Sequence, residues 1–140
     1  MKILVAVDGS SYTKRMLAYL AAHDEWLGEH HLYTVVHSVS AVPARASAVL
    51  DKALLKSYYE EEAEKVFKPI RAFFKKQRLQ AEFVSKVGAP ADVVVGLANK
   101  GDYDLLMMGS HGHGTLANLV MGSVATKVMA HCKTPVLMIR

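Results

Sequence analysis

Five short runs of mostly apolar residues, each separated from the next by a stretch with helical spacing, constrain this chain more than any other feature it has. The first, Ile3 to Val7, is wholly apolar rather than alternating and stops at Asp8-Gly9-Ser10, which predicts a central parallel strand buried on both faces. His31 to Val39, Ala81 to Val87, Tyr103 to Met108 and Val136 to Ile139 are the remaining predicted strands. Between the first two, Met16, Leu17 and Leu20 recur at helical steps behind Ser10 and Ser11, which can cap a helix, and the pattern ends between His23 and Gly28.

The longest interval is helical in tone. Ala63, Val66, Phe67, Ile70 and Phe74 form an apolar stripe, with Lys and Glu on the solvent side. Pro69 falls inside that stripe without a backbone donor, so a kink or break is expected there. Gly88-Ala89-Pro90 opens a further helix, with Val93, Val94 and Leu97 as its expected buried side and Gly101 as its stop. Val124 to Ala130 is the last expected helix.

Strands and helices alternating in this order demand right-handed crossovers and a parallel sheet covered on both faces. The fold class is α/β: a doubly wound, five-stranded parallel sheet of strand order 3-2-1-4-5. At 140 residues, with no internal repeat or Gly/Ser linker, residues 1–140 read as one domain. In such sheets ligands settle beyond the carboxyl ends of the strands where the order reverses, here between the first and fourth strands. Asp8 ends the first; Gly109 follows the fourth.

Composition removes several classes. A hydrophobic share of 51% and a charged share of 21% suit a packed domain and exclude whole-chain disorder. No apolar stretch reaches the length of a membrane span, and the opening run passes straight into Asp8, so neither a span nor a signal peptide is expected and a cytoplasmic location is. The single Cys132 agrees with a reducing compartment. A net charge of +4 mildly favours anionic ligands. The basic cluster from Lys65 to Arg78 follows Glu60, Glu61, Glu62 and Glu64, which reads as a solvated helix face rather than a nucleic-acid surface.

The strongest chemical signal is Gly109-Ser110-His111-Gly112-His113-Gly114, continuing to Gly122-Ser123. Glycines bring backbone N–H groups close to a ligand, and Gly122-Ser123 stands at a helix start, where free N–H groups favour phosphate. Ser123 adds a hydroxyl donor. No lysine follows Gly122, so this is not the phosphate loop of the common NTPases, and the dinucleotide fingerprint would belong after the first strand.

Gly109-x2-Gly112-x9-Gly122-Ser123 resembles the signature of the ATP-binding branch of the universal stress protein family. The likeness extends from Ile3-Leu4-Val5-Ala6-Val7-Asp8-Gly9-Ser10, through Val87-Gly88-Ala89-Pro90, to Lys133-Thr134-Pro135-Val136-Leu137-Met138-Ile139. The resemblance implies a five-stranded parallel sheet, ATP or AMP at its carboxyl edge, and homodimers built through the last strand, Val136 to Ile139. It also assigns roles. Asp8 would hydrogen-bond the ribose or adenine side, with Ala6 and Val7 beside the base and the backbone of Ser38 toward adenine. Gly109 would border the ribose, and Gly112, His113, Gly122, Ser123 and Val124 would hold the phosphates. Ser38 departs from the small apolar residue usual in the family.

Other chemistry is less well supported by the residues. His111-x-His113 and His30-His31 invite a metal, but no third and fourth ligand is evident, so no metal site is assigned. Asp102 and Asp104 stand where the fourth strand begins, at the wrong end of the sheet for catalysis, and Asp92 suits the first turn of its helix. Gly-x-Ser-x-Gly is absent and Cys132 follows a helix rather than opening one, which disfavours covalent catalysis; no catalytic residue is assigned. A flavodoxin-like carrier would hold FMN phosphate after the first strand, where only Asp8 to Thr13 is available.

The expected function is therefore an adenine-nucleotide-binding stress or signalling module, in which ATP or AMP, with or without Mg, changes the order of the loop from His111 to Met121 and thereby alters partner contacts. A nucleotide-independent dimeric scaffold and a slow ATPase are the alternatives.

Overall fold

The computed structural model describes residues 1–114 and 118–140. Its parallel strands are β1 (Lys2–Ala6), β2 (Leu32–Val39), β3 (Ala81–Val87), β4 (Leu105–Gly109) and β5 (Val136–Ile139), hydrogen-bonded in the order β3-β2-β1-β4-β5. The helices are α1 (Ser11–Ala22), α2 (Asp24–Leu27), α3 (Ala44–Ser47), α4 (Lys52–Lys76), α5 (Pro90–Lys100) and α6 (Ser123–His131). The expected doubly wound topology and strand order are present.

β1 sits in the middle because every residue in it after Lys2 is wanted by a core. Ile3 and Val5 point to the face covered by α1 and α4, where they meet Met16, Leu20, Phe67 and Phe74. Leu4 points to the face covered by α5 and α6, beside Val36, Val94, Leu106 and Val128. A strand buried on both sides has no polar position to spare, hence its uninterrupted apolar sequence. Under α4 the core is aromatic: Phe74 makes edge-on contacts with Tyr33 and Phe83 at 5.5 and 6.0 Å between centroids, and Phe67 with Phe83 at 5.2 Å. Such pairs add about 0.5–1.5 kcal/mol each beyond the area they bury.

Pro69 does not break its helix: α4 runs unbroken across it. The proline deprives only the Lys65 carbonyl of its intrahelical donor, and both residues are exposed, so water can replace the missing N–H. On α5 the fully buried residues are Ala91, Val94 and Ala98, while Val93 and Leu97 are half-buried. Small residues fill the inner face because α5 is packed between the sheet and α6.

Register fixes what lies at the carboxyl edge. Ala6 pairs with Val36 on one side and Met108 on the other, so the three stand abreast, and Asp8 and the segment after Gly109 leave the sheet side by side. At the opposite edge Asp104 Oδ2 accepts from the Lys2 N–H at 2.7 Å and Lys2 Nζ donates to the Gly101 carbonyl at 2.8 Å, placing the Asp102-Asp104 turn away from the site. Among the described residues no helix is long and apolar enough to cross a membrane.

Candidate functional site

Beyond the carboxyl edge the chain leaves a cavity of about 580 Å³, within the range of pockets that hold nucleotide-sized ligands. Its apolar floor includes Ala6, Val36 and Met108 from the sheet, with Val94 and Ala125 from the two helices beneath. Val7, Asp8 and Ser38 border it from the ends of β1 and β2. Gly109, Gly112, His113, Gly122, Ser123 and Val124 border it from the other side. All ten residues singled out in the sequence thus meet around one space, although they lie as far apart in the chain as residues 6 and 124.

Asp8 is held in a fixed pose. Its Oδ1 accepts from the Ser10 N–H at 2.9 Å and from the Thr13 hydroxyl at 3.0 Å, while that same hydroxyl accepts from the Asp8 N–H at 3.1 Å. Oδ2 faces Gly112 so closely that a Cβ on residue 112 would stand 2.7 Å from it. Any side chain there would have to displace the carboxylate, and glycine removes the conflict.

A second close approach shapes the phosphate side. The Gly122 N–H donates to the Ser110 carbonyl at 2.8 Å, which folds the end of the glycine-rich segment back on its start. A Cβ on Gly122 would lie 3.2 Å from the His111 Cα and 3.4 Å from the Ser110 carbonyl oxygen. Gly122 is the N-cap of α6, with no side-chain cap, so the first N–H groups of that helix remain directed at the cavity end. Backbone amides at a helix start next to a glycine turn can hold an anion.

Three imidazoles border the same space, and each is anchored. His37 Nδ1 is 2.9 Å from the Val7 carbonyl oxygen and His113 Nε2 is 2.6 Å from that of Asp8, so successive carbonyls at the end of β1 accept from rings on opposite sides. His111 Nε2 donates to the Leu119 carbonyl at 2.8 Å and its Nδ1 pairs with the buried Ser110 hydroxyl at 2.8 Å. The His113 side chain therefore serves as a tie between the glycine segment and β1. Ser38 has a similar duty, its hydroxyl donating at 2.6 Å to the Gly88 carbonyl at the turn into α5.

One wall was not anticipated. Tyr58, Glu62, Lys65 and Val66 of α4 also border the cavity. Phe67 is level with His37 near the end of β2, their rings 6.1 Å apart, so the turns of α4 before it rise past the sheet edge. Val66 anchors this wall, its Cγ2 lying 3.5 Å from where a Gly9 Cβ would be. Lys65 Nζ donates to Glu62 Oε1 at 2.6 Å, and that bond together with the opposite charge raises the lysine's pKa above its ordinary value. The signal in the sequence was the spacing of 58, 62, 65 and 66, one face of a helix, within a run dense enough in charge to read as solvated.

Among the described residues, no three His, Cys, Asp or Glu side chains are grouped to hold a metal ion. Cys132 caps α6 with its thiol 3.5 Å from the Thr134 carbonyl, remote from the cavity lining.

The protein-family model described as the universal stress protein family matches residues 1–140. A universal stress protein of Thermus aquaticus is 34% identical over 138 residues, covering 99% of this chain and 97% of that protein. Among solved structures, the Archaeoglobus fulgidus universal stress protein in complex with dAMP superposes with a TM-score of 0.69 at 24% identity, covering 100% of this chain and 98% of the other. An Arabidopsis thaliana family protein with AMP bound gives a TM-score of 0.70 at 17% identity, covering 99% and 90%. At those identities the structures share the fold alone, but the family match over the full sequence and the Thermus relative place this chain in the universal stress protein family.

Proposed function

We propose that this protein binds an adenine nucleotide, ATP or AMP, at the carboxyl edge of its sheet and acts as a nucleotide-dependent stress-response or signalling module. One observation carries the reading: the close approaches at Gly112 and Gly122 leave backbone amides and the Asp8 carboxylate bordering the same 580 Å³ space, with no Cβ in the way. That family members from Archaeoglobus fulgidus and Arabidopsis thaliana hold dAMP and AMP supports it.

In this reading the base lies over Ala6 and Val7, with the backbone of Ser38 at its edge. The sugar lies by Gly109 and the free Oδ2 of Asp8, and the phosphates lie against Gly112, the His113 amide, Gly122, Ser123 and Val124. Mg, which binds through one or two carboxylates plus phosphate oxygens, would draw on Asp8 alone from the protein. Ligand contact would change the order of the loop from His111 to Met121, of which 115–117 lie outside the described residues, and so alter partner contacts.

Calorimetry with ATP and with AMP, each with Mg, tests this directly. Saturable binding by the wild type that is abolished in Gly122→Val is expected, because the branched side chain would enter the space beside His111 and the amides. A wild type that binds neither nucleotide would reject the reading and leave the nucleotide-independent scaffold. Turnover compared between wild type and Asp8→Asn addresses slow hydrolysis; equal and negligible rates discard it.

A homodimer through Val136 to Ile139 belongs to the same proposal. The two sheet edges differ: β3 carries Glu82, Ser85 and Lys86, which discourage pairing, while β5 is wholly apolar and three of its four residues are half-buried. Light scattering at micromolar concentration should return twice the chain mass. A cytoplasmic site of action completes the proposal; recovery in the membrane or exported fraction would oppose it.

A further inference from the structure

We propose that Lys65 is the phosphate-chain cation of this site: it leaves Glu62 for the terminal phosphates of a bound nucleotide, so that the protein selects nucleoside triphosphate over monophosphate. This deepens the nucleotide reading and rests on it.

The argument starts from the charge the cavity can offer. Triphosphate brings far more negative charge than monophosphate, and helix-start amides supply only fractional positive charge. The imidazoles of the glycine segment are already tied. His113 Nε2 is bonded to the Asp8 carbonyl, and both nitrogens of His111 are engaged, by Ser110 and by Leu119. Among the described residues, Lys65 is the one lysine or arginine bordering the space.

Position favours the exchange. α4 faces the glycine segment across the end of β1: Val66, next to Lys65, packs on Gly9, and the neighbouring Asp8 carboxylate abuts Gly112. The lysine head is on a flexible four-carbon stem, and its side chain is 70% exposed against 34% for Glu62. Glu62 thus forms the fixed half of the pair and Lys65 the mobile half.

The exchange is also energetically easy. An exposed pair three residues apart on a helix contributes little to stability. A charge-assisted bond to phosphate in a partly enclosed site is stronger. Glu62 holds the ammonium beside the cavity until an anion arrives, and its own charge opposes the same anion once Lys65 has moved.

The test is calorimetric titration of wild type, Lys65→Met, Lys65→Arg and Glu62→Gln with AMP, ADP and ATP, all with Mg, after thermal melts establish that each variant folds. Wild type should bind ATP more tightly than AMP. Lys65→Met should lose roughly ten- to a hundredfold in ATP affinity, the loss of one hydrogen bond to a charged group, with less than about a twofold change for AMP. Lys65→Arg should restore most of the ATP preference, and Glu62→Gln should strengthen ATP binding severalfold. An ATP to AMP ratio unchanged in Lys65→Met overturns the role of Lys65 while leaving the nucleotide site intact. A wild type that binds no nucleotide removes the site and Lys65's role together.

Discussion

The Thr13 hydroxyl holds Asp8 from two sides, accepting from its backbone N–H at 3.1 Å and donating to its carboxylate Oδ1 at 3.0 Å. Thr13 is buried in the first turn of α1, so this pair couples the start of a helix to the end of the central strand. The carboxylate orientation at the cavity depends on a helix side chain that borders the same space.

Thr13→Val keeps the shape and removes the hydroxyl, leaving the Asp8 N–H without a partner. Urea unfolding should show a loss of about 1–2 kcal/mol, the lower part of the penalty for an unpaired donor because the Asp8 N–H is only partly buried. Thr13→Ser keeps the hydroxyl and gives up one methyl, at a cost of about 0.8 kcal/mol. The isosteric change should therefore be the more damaging of the two. The reverse ranking would mean that Thr13 matters through its packing and not through Asp8.

Much of this architecture is legible in the residues because burial on two faces leaves a simple trace. Ile3 to Val7 and Val136 to Ile139 stand out as apolar runs, Ala81 to Val87 shows only as a mixed run with Phe83, Val84 and Val87 among polar residues at a sheet edge, and their alternation with helices fixes the topology. Edges are harder. Tyr103 and Asp104 read as part of the fourth strand, but the Asp104 N–H donates to the Lys2 carbonyl and its carboxylate accepts from the Lys2 N–H, which makes it a clasp before β4 begins.

The site divides in the same way. Its glycine side is visible because close approach, to the Asp8 carboxylate at Gly112 and to the backbone of Ser110 and His111 at Gly122, demands residues without a Cβ at a fixed spacing. Its α4 side is not, because Tyr58, Glu62 and Lys65 are residue types that any solvated helix carries, and only the tertiary path of α4 past the sheet edge brings them to the cavity. The role of His37 is equally hidden in the sequence, since nothing local reveals that its ring meets the Val7 carbonyl thirty residues away.

Tyr33 supplies a pH dependence whose sign can be worked out. Its hydroxyl donates to the Leu27 carbonyl at 2.6 Å under α4, and burial raises its pKa from 10.0 to about 12. Between those values the unfolded chain has lost the phenolic proton while the native protein retains it, so stability must fall as pH rises. The contribution is whole below pH 10, declines by about 1.4 kcal/mol at pH 11, and is lost by roughly 2–3 kcal/mol above pH 12. Urea midpoints at pH 9 and pH 11 measure it. Tyr33→Phe should be less stable at pH 9 and should lose less between the two pH values than wild type; equal losses would assign the alkaline decline to other groups.

Pro69 offers the opposite case, a site where replacement should stabilise. It lies in the interior of α4 on the exposed side, between the buried Phe67 and Ile70, and its ring withholds the N–H that the Lys65 carbonyl would accept. Proline is about 3 kcal/mol less favourable than alanine in a helix interior. Part of that is offset in the unfolded chain, which proline restricts by about 0.4–1 kcal/mol. Pro69→Ala should therefore raise unfolding stability by about 2 kcal/mol, read as a higher urea midpoint at an unchanged slope. Because the residue is four positions beyond Lys65, the restored hydrogen bond would also stiffen the turn that carries Glu62 and Lys65 above the sheet edge. Hydrogen exchange should then slow across residues 62–69 and stay unaltered in β1. A destabilised Pro69→Ala, or one whose protection changes only outside α4, would mean that the helix is shaped around its proline and not merely tolerant of it.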